Sequence, residues 1–321
     1  MPARTTADRD RLRLLTKVAR LYHEKGVRQP EIAVQLNLSQ ARVSRLLKEA
    51  AERGIIRTVV VPPPGVLADI EEHLVEKFAL RDVVVVDVEG NGFSVTSALG
   101  SGAAAYLDST LIGRDVIGVS SWSSTLLAAV EVMRPKRTPV ADRVVQLMGG
   151  VGSPEVQMQA TRLTGRLAEV TGASPVFVPS PGLVGSTDLQ QALMADPGFR
   201  AVQEQWSQVT VSLVGIGTLE PSPLLRLSGN SLSADEQDEL RRAGAVGDVC
   251  LRYFDSRGAS VGSSFDHRVI GMSKEGLMRV PRRVGVAGGT EKTEAIRAAV
   301  QGGWINILIT DLEVAKALAA D

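Results

Sequence analysis

Residues 283–311 read RVGVAGGTEKTEAIRAAVQGGWINILITD. Within them, residues 284–287 form a short apolar run and residues 305–310 a second, both rich in β-branched side chains. Short apolar runs bounded by glycine and polar residues read as buried strands. Between them, residues 292–301 carry helix formers with apolar side chains at helical spacing. Asp311 follows the second run and suits the N-cap of a helix over residues 312–320. Strand, helix, strand, helix is the repeating unit of a parallel sheet covered on both faces.

The same alternation runs upstream. Apolar β-branched runs recur at residues 83–88, 116–119, 144–147, 176–178, 209–216 and 248–254. Helix-like stretches fall at residues 95–111, 125–133, 155–171 and 234–243. The fold class is α/β with a mostly parallel sheet. Ligands on such sheets bind beyond the carboxyl ends of the strands, near a topological switch point. The loops after strands are therefore the places to search.

Two loops stand out. The first is Gly118, Val119, Ser120, Ser121, Trp122, Ser123, Ser124 and Thr125, between a strand and a helix. Its hydroxyls and backbone N–H groups can hold a phosphate at a helix N-terminus. The second is Gly288, Gly289, Thr290, Glu291 and Lys292, again strand then helix, with Lys292 as a cation. Turn formation alone would account for either. Neither matches GxGxxG or a Walker A pattern, so no nucleotide cofactor is expected. Gln146, Gly149 and Gly150 close a third strand and border the same crevice. Asp255 and the triplet Asp266, His267, Arg268 either bind sugar hydroxyls or cap turns and form ion pairs. Trp122 either stacks on a ligand or packs in the core. Cys250, in an apolar run, reads as a small buried hydrophobe.

The N-terminal residues differ in kind. Residues 1–58 hold 13 Lys and Arg against 6 Asp and Glu, leaving 23 against 30 for the rest of the 321 residues. A basic module joined to a mildly acidic one favours a polyanion partner for the former. Leu14, Leu15, Val18 and Leu21 place one apolar face on a first helix over residues 10–23. A second helix over residues 30–36 buries Ile32, Ala33 and Leu36, and Ser39 caps a third over residues 40–53. Small Ala33, then Asn37 at a turn that wants a positive φ, then Val43 between the helices make a helix-turn-helix. Gln29, Ser39, Gln40, Ala41, Arg42, Ser44, Arg45 and Lys48 are the candidate DNA-contacting residues. Residues 55–61 read as a strand or wing, and Pro62, Pro63 and Pro64 break it. The division is residues 1–61 for DNA binding and 62–321 for effector binding and oligomerisation.

Composition bounds the remainder. Hydrophobic residues make 44% and charged residues 22%, ordinary for a globular protein. One cysteine and three scattered histidines exclude a disulfide framework and leave no multi-cysteine zinc site. No apolar run approaches a membrane span, and the first residues lack a signal-peptide stretch. A cytoplasmic setting is expected, with no metal and no membrane partner.

Ordered segments then carry a resemblance: LYHEKGVRQPEIAVQLNLSQARVSRLLKEAAERGII near the start, and LVGIG, LSGNSL, GAVGDVCLRYFD, RVIGMS, RVGVAGGTEKTEAI and GGWINILITD further on. The chain resembles the SorC family of bacterial transcriptional regulators over nearly its full length. The resemblance implies a winged helix-turn-helix and a sugar-binding domain. That domain would be similar in fold to glucosamine-6-phosphate deaminase and ribose-5-phosphate isomerase. It also implies a sugar, polyol or sugar-phosphate effector, double-stranded operator DNA, and a homo-oligomer, dimer or tetramer. The family's phosphate loops correspond to the two loops above, and its pocket edges to the segment from Gln146 to Gly150 and to Asp255 and Asp266. Where the family's first loop reads serine-tryptophan-glycine, Ser123 replaces the glycine, and Met148 and His267 also depart from its pattern.

Two function classes follow. The first is an effector-controlled, non-enzymatic transcription factor. The second is a sugar-phosphate isomerase or deaminase with an appended DNA-binding module, for which Asp255 or Asp266 would have to supply a general base.

Overall fold

In the computed structural model, residues 6–56, 66–88, 94–262 and 265–320 are described. The chain divides into two compact units, Met1–Pro64 and Gly65–Asp321.

Among its described residues the first unit has three helices: α1 (Thr6–His23), α2 (Gln29–Gln35) and α3 (Gln40–Glu52). Leu15, Val18, Ile32, Val43, Leu46 and Ala50 are fully buried among them. Leu14 and Leu47 pack at the edge of this core rather than inside it. Between α2 and α3, Asn37 has φ 52°, a conformation asparagine tolerates better than most side chains. Ser39 caps α3, its Oγ accepting from the Arg42 N–H at 3.2 Å. Ile55 and Ile56 lie in a bend after α3 and pack on the same core. The remainder of the expected wing lies outside the described residues.

The second unit is built on seven parallel strands: β1 (Asp82–Val86), β2 (Asp115–Val119), β3 (Ala141–Gln146), β4 (Ser174–Val176), β5 (Val211–Gly215), β8 (Arg282–Val286) and β9 (Ile307–Asp311). Their order is β1-β9-β8-β5-β2-β3-β4, and every pairing is parallel. A hairpin, β6 (Ala245–Val249) with β7 (Arg252–Asp255), stands apart from this sheet. Side chains alternate between two cores. Ile117, Val144, Val211, Leu213 and Ile307 enter one, which the helices Val95–Thr110, Ser124–Val132 and Pro154–Thr171 cover. Val116, Val145, Val214 and Leu308 enter the other, under the helices Ala68–Phe78, Pro197–Trp206, Thr293–Gln301 and Leu312–Ala320. Burial on both faces is why these strands read as continuous apolar runs.

One expected strand is wrong in kind. Residues 248–254 are not a single strand but the turn and flanks of the β6–β7 hairpin. Cys250 and Leu251 form its turn with φ 53° and 62°. Turns of this shape normally use Asn or Gly, so the local residues give no turn signal. The helix expected from residue 292 starts instead at Thr293, after a 3-10 turn over Thr290–Lys292. Four further helices, Thr187–Ala195, Pro197–Trp206, Pro223–Leu227 and Lys274–Arg279, were not anticipated.

Candidate functional site

The strand order sets the site. From β2 the chain steps outward to β3 and β4; from β5 it steps the other way to β8 and β9. The direction reverses between β2 and β5, and a crevice opens at the carboxyl ends there, as the switch-point rule expects. Loops after five strands line it. Ser120, Trp122, Ser123, Ser124 and Thr125 come from beyond β2, and Met148 from beyond β3. Ile216, Gly217, Thr218, Glu220 and Ser222 follow β5; Asp248, Cys250 and Leu251 belong to the hairpin; Lys292 follows β8.

The loop after β2 is held by its own polar groups. Ser120 Oγ accepts from the Gly215 N–H at 3.3 Å, which ties the loop to β5. Ser121 Oγ donates to the Met148 carbonyl at 3.0 Å, and Trp122 Nε1 donates to the Gly149 carbonyl at 3.1 Å. Ser123 caps the helix Ser124–Val132, its Oγ accepting from the Leu126 N–H at 3.2 Å. Ser124 and Thr125, the first residues of that helix, line the crevice, and a helix N-terminus is a favourable place for an anion.

Lys292 Nζ donates to the Ile216 carbonyl at 3.2 Å, which places the ammonium at the crevice wall. Asp248, 8% exposed, also lines the crevice, and its backbone exchanges two hydrogen bonds with Gly217 at 3.0 and 3.2 Å. Its Oδ2 accepts from the Leu251 N–H at 2.9 Å. Burial pushes the Asp248 carboxyl up to about 6, against the opposing pull of the Leu251 N–H and the Lys292 charge. A Cβ on Gly217 would lie 2.0 Å from Asp248 Oδ1, so only glycine admits the carboxylate there. Burial also pushes the Cys250 thiol up to about 12, which leaves it inert. Among the described residues, no group of three or more His, Cys, Asp or Glu could hold a metal ion.

The structure divides the candidate residues. Ser120, Trp122, Ser123, Ser124, Thr125 and Lys292 meet in the crevice. Gly118 packs inside β2 against Leu147, and Ser121 is spent on Met148. Gln146 does not line the crevice: its Oε1 accepts from the Val178 N–H at 2.8 Å and its carbonyl from Trp206 Nε1 at 2.7 Å. Gly149 is a backbone crossing, a Cβ there lying 2.1 Å from the Pro181 carbonyl oxygen, and Gly150 packs on the Gln146 side-chain amide, 2.5 Å from where a Cβ would stand. Asp255 Oδ1 accepts from the N–H groups of Arg257 and Ala259 and so caps the turn after β7. Asp266 faces Arg252 at 3.6 Å. Gly288 packs on Asp311, whose Oδ2 accepts from the Gly289 N–H at 2.7 Å and whose Oδ1 caps the last helix. Gly289 and Thr290 line a separate hollow with Asp87, Asp311 and Glu313. Asp248, Thr218, Glu220 and Ser222 were missed. The last three follow β5 directly, so their position after a strand end was a usable signal.

In the first unit, Ser39, Gln40, Ala41, Arg42, Ser44, Arg45 and Lys48 are all exposed on or before α3. Gln29 opens α2 and is half-buried.

Residues 63–320 match the family described as "Putative sugar-binding domain". The chain is 32% identical over 315 residues to the deoxyribonucleoside regulator of Bacillus subtilis, covering 98% of this chain and 99% of that protein. It is 30% identical over 315 residues to the sorbitol operon regulator of Klebsiella pneumoniae, covering 96% and 98%. The crystal structure of the full-length sorbitol operon regulator SorC from Klebsiella pneumoniae superposes with a TM-score of 0.72 at 27% identity, covering 96% of this chain and 98% of that one.

Proposed function

The chain belongs to the SorC family of sugar-binding transcriptional regulators, and on that premise we propose that it controls a carbohydrate or polyol catabolic operon by binding operator DNA under the control of a sugar, polyol or sugar-phosphate effector. The observation that carries this reading is the joining of two different surfaces in one chain. One unit exposes Gln40, Arg42, Ser44, Arg45 and Lys48 on a capped helix. The other holds a hydroxyl-lined crevice with Lys292 on its wall at the switch point of a parallel sheet.

In this reading the first unit is a winged helix-turn-helix whose α3 enters a major groove. The second carries a fold of the glucosamine-6-phosphate deaminase type used for recognition rather than turnover. An anionic group of the effector sits at the N-terminus of the helix Ser124–Val132 and near Lys292, while its hydroxyls meet Asp248 and Thr218. The protein works as a homo-oligomer, dimer or tetramer, whose symmetry sets the spacing of half-sites. The effector changes DNA affinity by the ratio of its affinities for two arrangements of the oligomer, and by no more than that. The enzyme alternative relied on Asp255 or Asp266 as base. The first caps a turn, the second faces Arg252, and neither lines the crevice.

The test is a titration of the full chain onto a fluorescent duplex copied from the DNA upstream of its own coding region, repeated with a panel of sugars, polyols and their phosphates. One panel member is expected to shift the affinity at least about fivefold. An affinity unchanged by the whole panel, or turnover of a sugar phosphate at an enzymatic rate, overturns the reading.

A further inference from the structure

One surface hollow of the N-terminal unit is lined by Arg11, Arg42, Arg45 and Leu46. It brings together two helices far apart in sequence, Arg11 coming from α1 and the others from α3. Leu46 is fully buried and forms the floor. Glu49, one turn beyond Arg45, holds Arg11 in place: Arg11 Nη2 lies 2.5 Å from Glu49 Oε2, and Nε lies 3.4 Å from Oε1. The same carboxylate meets Arg53 Nη2 at 3.0 Å, and Arg53 faces Asp8 at 3.5 Å. The negative charge of Glu49 is thus shared by two guanidinium groups, and the hollow keeps an excess of positive charge.

The placement of the hollow around α3 matters. At about 100° per residue, the buried Val43, Leu46 and Ala50 set the centre of the exposed face of α3 between Ala41 and Lys48. Arg45 projects roughly 50° from that line and Arg42 roughly 110°, both toward the side of Glu49, which pairs with Arg11 of α1. A helix in a major groove points its centre line at base edges and its flanks at the sugar-phosphate walls. Arg42 is therefore better placed to meet a wall than to read bases, and the hollow it shares with Arg11 and Arg45 opens on that side.

The geometry points to a phosphate seat: Arg11, Arg42 and Arg45 together hold one backbone phosphate of double-stranded DNA beside α3. This rests on the DNA-binding reading above and adds a residue, Arg11, that lies outside the helix-turn-helix itself. Guanidinium groups suit a phosphate; Glu49 takes the Nε and Nη2 edge of Arg11, which holds the group in place before DNA arrives and leaves Nη1 for the phosphate. The seat positions α3 and carries no sequence information.

The experiment measures binding of the full chain to the upstream duplex and to a shuffled duplex of equal length, from 50 to 200 mM salt. Because the seat neutralises one phosphate, the triple variant R11Q/R42Q/R45Q is expected to make the slope of log affinity against log salt shallower by about 0.9, and Arg11→Gln and Arg42→Gln each by a measurable part of that. Across that salt range the deficit of the triple variant shrinks about 3.5-fold, equally on both duplexes. Thermal melting checks that the variants fold. The double variant R11Q/E49Q restores net charge and leaves no unpaired carboxylate, so its slope stays shallow if the seat is real. A restored slope in the double variant means that only net charge mattered and overturns the seat. An R11Q slope equal to wild type, or an R11Q change in the ratio between the two duplexes, also overturns it. Failure of the wild-type chain to bind either duplex overturns the DNA-binding reading instead.

Discussion

Asp248 Oδ2 accepts from the Leu251 N–H at 2.9 Å across a turn in which Cys250 and Leu251 both hold positive φ. Two consecutive side-chain-bearing residues in that region cost roughly 1–2 kcal/mol each. The turn persists because Leu251 is 2% exposed, Cys250 is 7% exposed, and the carboxylate ties the turn from within. Strain of this kind sits where a crevice must be shaped, and all three residues line it.

Asp248 makes stability depend on pH. Its carboxyl sits at about 6 in the folded chain against an ordinary 3.8. Between those values the folded state holds a proton that the unfolded chain has released, so stability falls as pH rises through the window. Asp248→Asn keeps the acceptor for Leu251 and removes the titration. The stability of the variant relative to wild type is expected to rise by about 2 kcal/mol from pH 4 to pH 7. Urea melts at four pH values check this; a constant difference would refute it.

Lys292 is the cation on the crevice wall. A phosphorylated sugar that binds only the folded state at about 100 times its Kd should add about 2.7 kcal/mol of apparent stability. Lys292→Ala is expected to abolish the resulting rise in melting temperature while the unliganded variant still melts cooperatively. Persistence of the full thermal shift in the variant would remove Lys292 from the ligand contacts.

Gly149 and Gly185 separate a packing glycine from a free one. A Cβ at Gly149 would meet the Pro181 carbonyl oxygen at 2.1 Å and the Gly182 nitrogen at 2.4 Å, both backbone atoms that cannot rotate away. Gly185 has nothing within 4 Å. Gly149→Ala is expected to cost about 3 kcal/mol, whereas Gly185→Ala should stay within about 0.5 kcal/mol. Equal denaturation midpoints for the two variants would contradict this.

Asn37 tests the turn of the N-terminal unit. At φ 52° alanine carries a Cβ penalty that glycine does not. Asn37→Ala should destabilise this unit by about 1 kcal/mol, and Asn37→Gly should not destabilise it. Melting followed at a probe attached to α3 distinguishes them, and loss of stability in the glycine variant would argue against the assigned conformation.

The expected strands and helices were legible where short-range rules act. Ser39 and Asp311 cap helices as their residue types anticipate, and Asn37 takes the positive φ that its turn demands. Gln146 and Asp255 were misplaced for a different reason. A polar residue at the end of a strand can face a crevice or satisfy a neighbouring loop. Here Val178, 32 residues away, takes the Gln146 amide, and the turn at Arg257 and Ala259 takes the Asp255 carboxylate.

What the sequence determined by itself was the α/β class, the three-helix module and the strand ends where a crevice was to be sought. Burial of a sheet on both faces writes itself as apolar runs, and caps act over three or four residues. Only the tertiary structure decided which strand ends meet. The order β1-β9-β8-β5-β2-β3-β4 brings Ser123, Asp248 and Lys292 to one crevice from positions far apart in the chain. It likewise turned an apolar run into a hairpin, because packing around Leu251 outweighs a backbone preference that local residues alone would have obeyed.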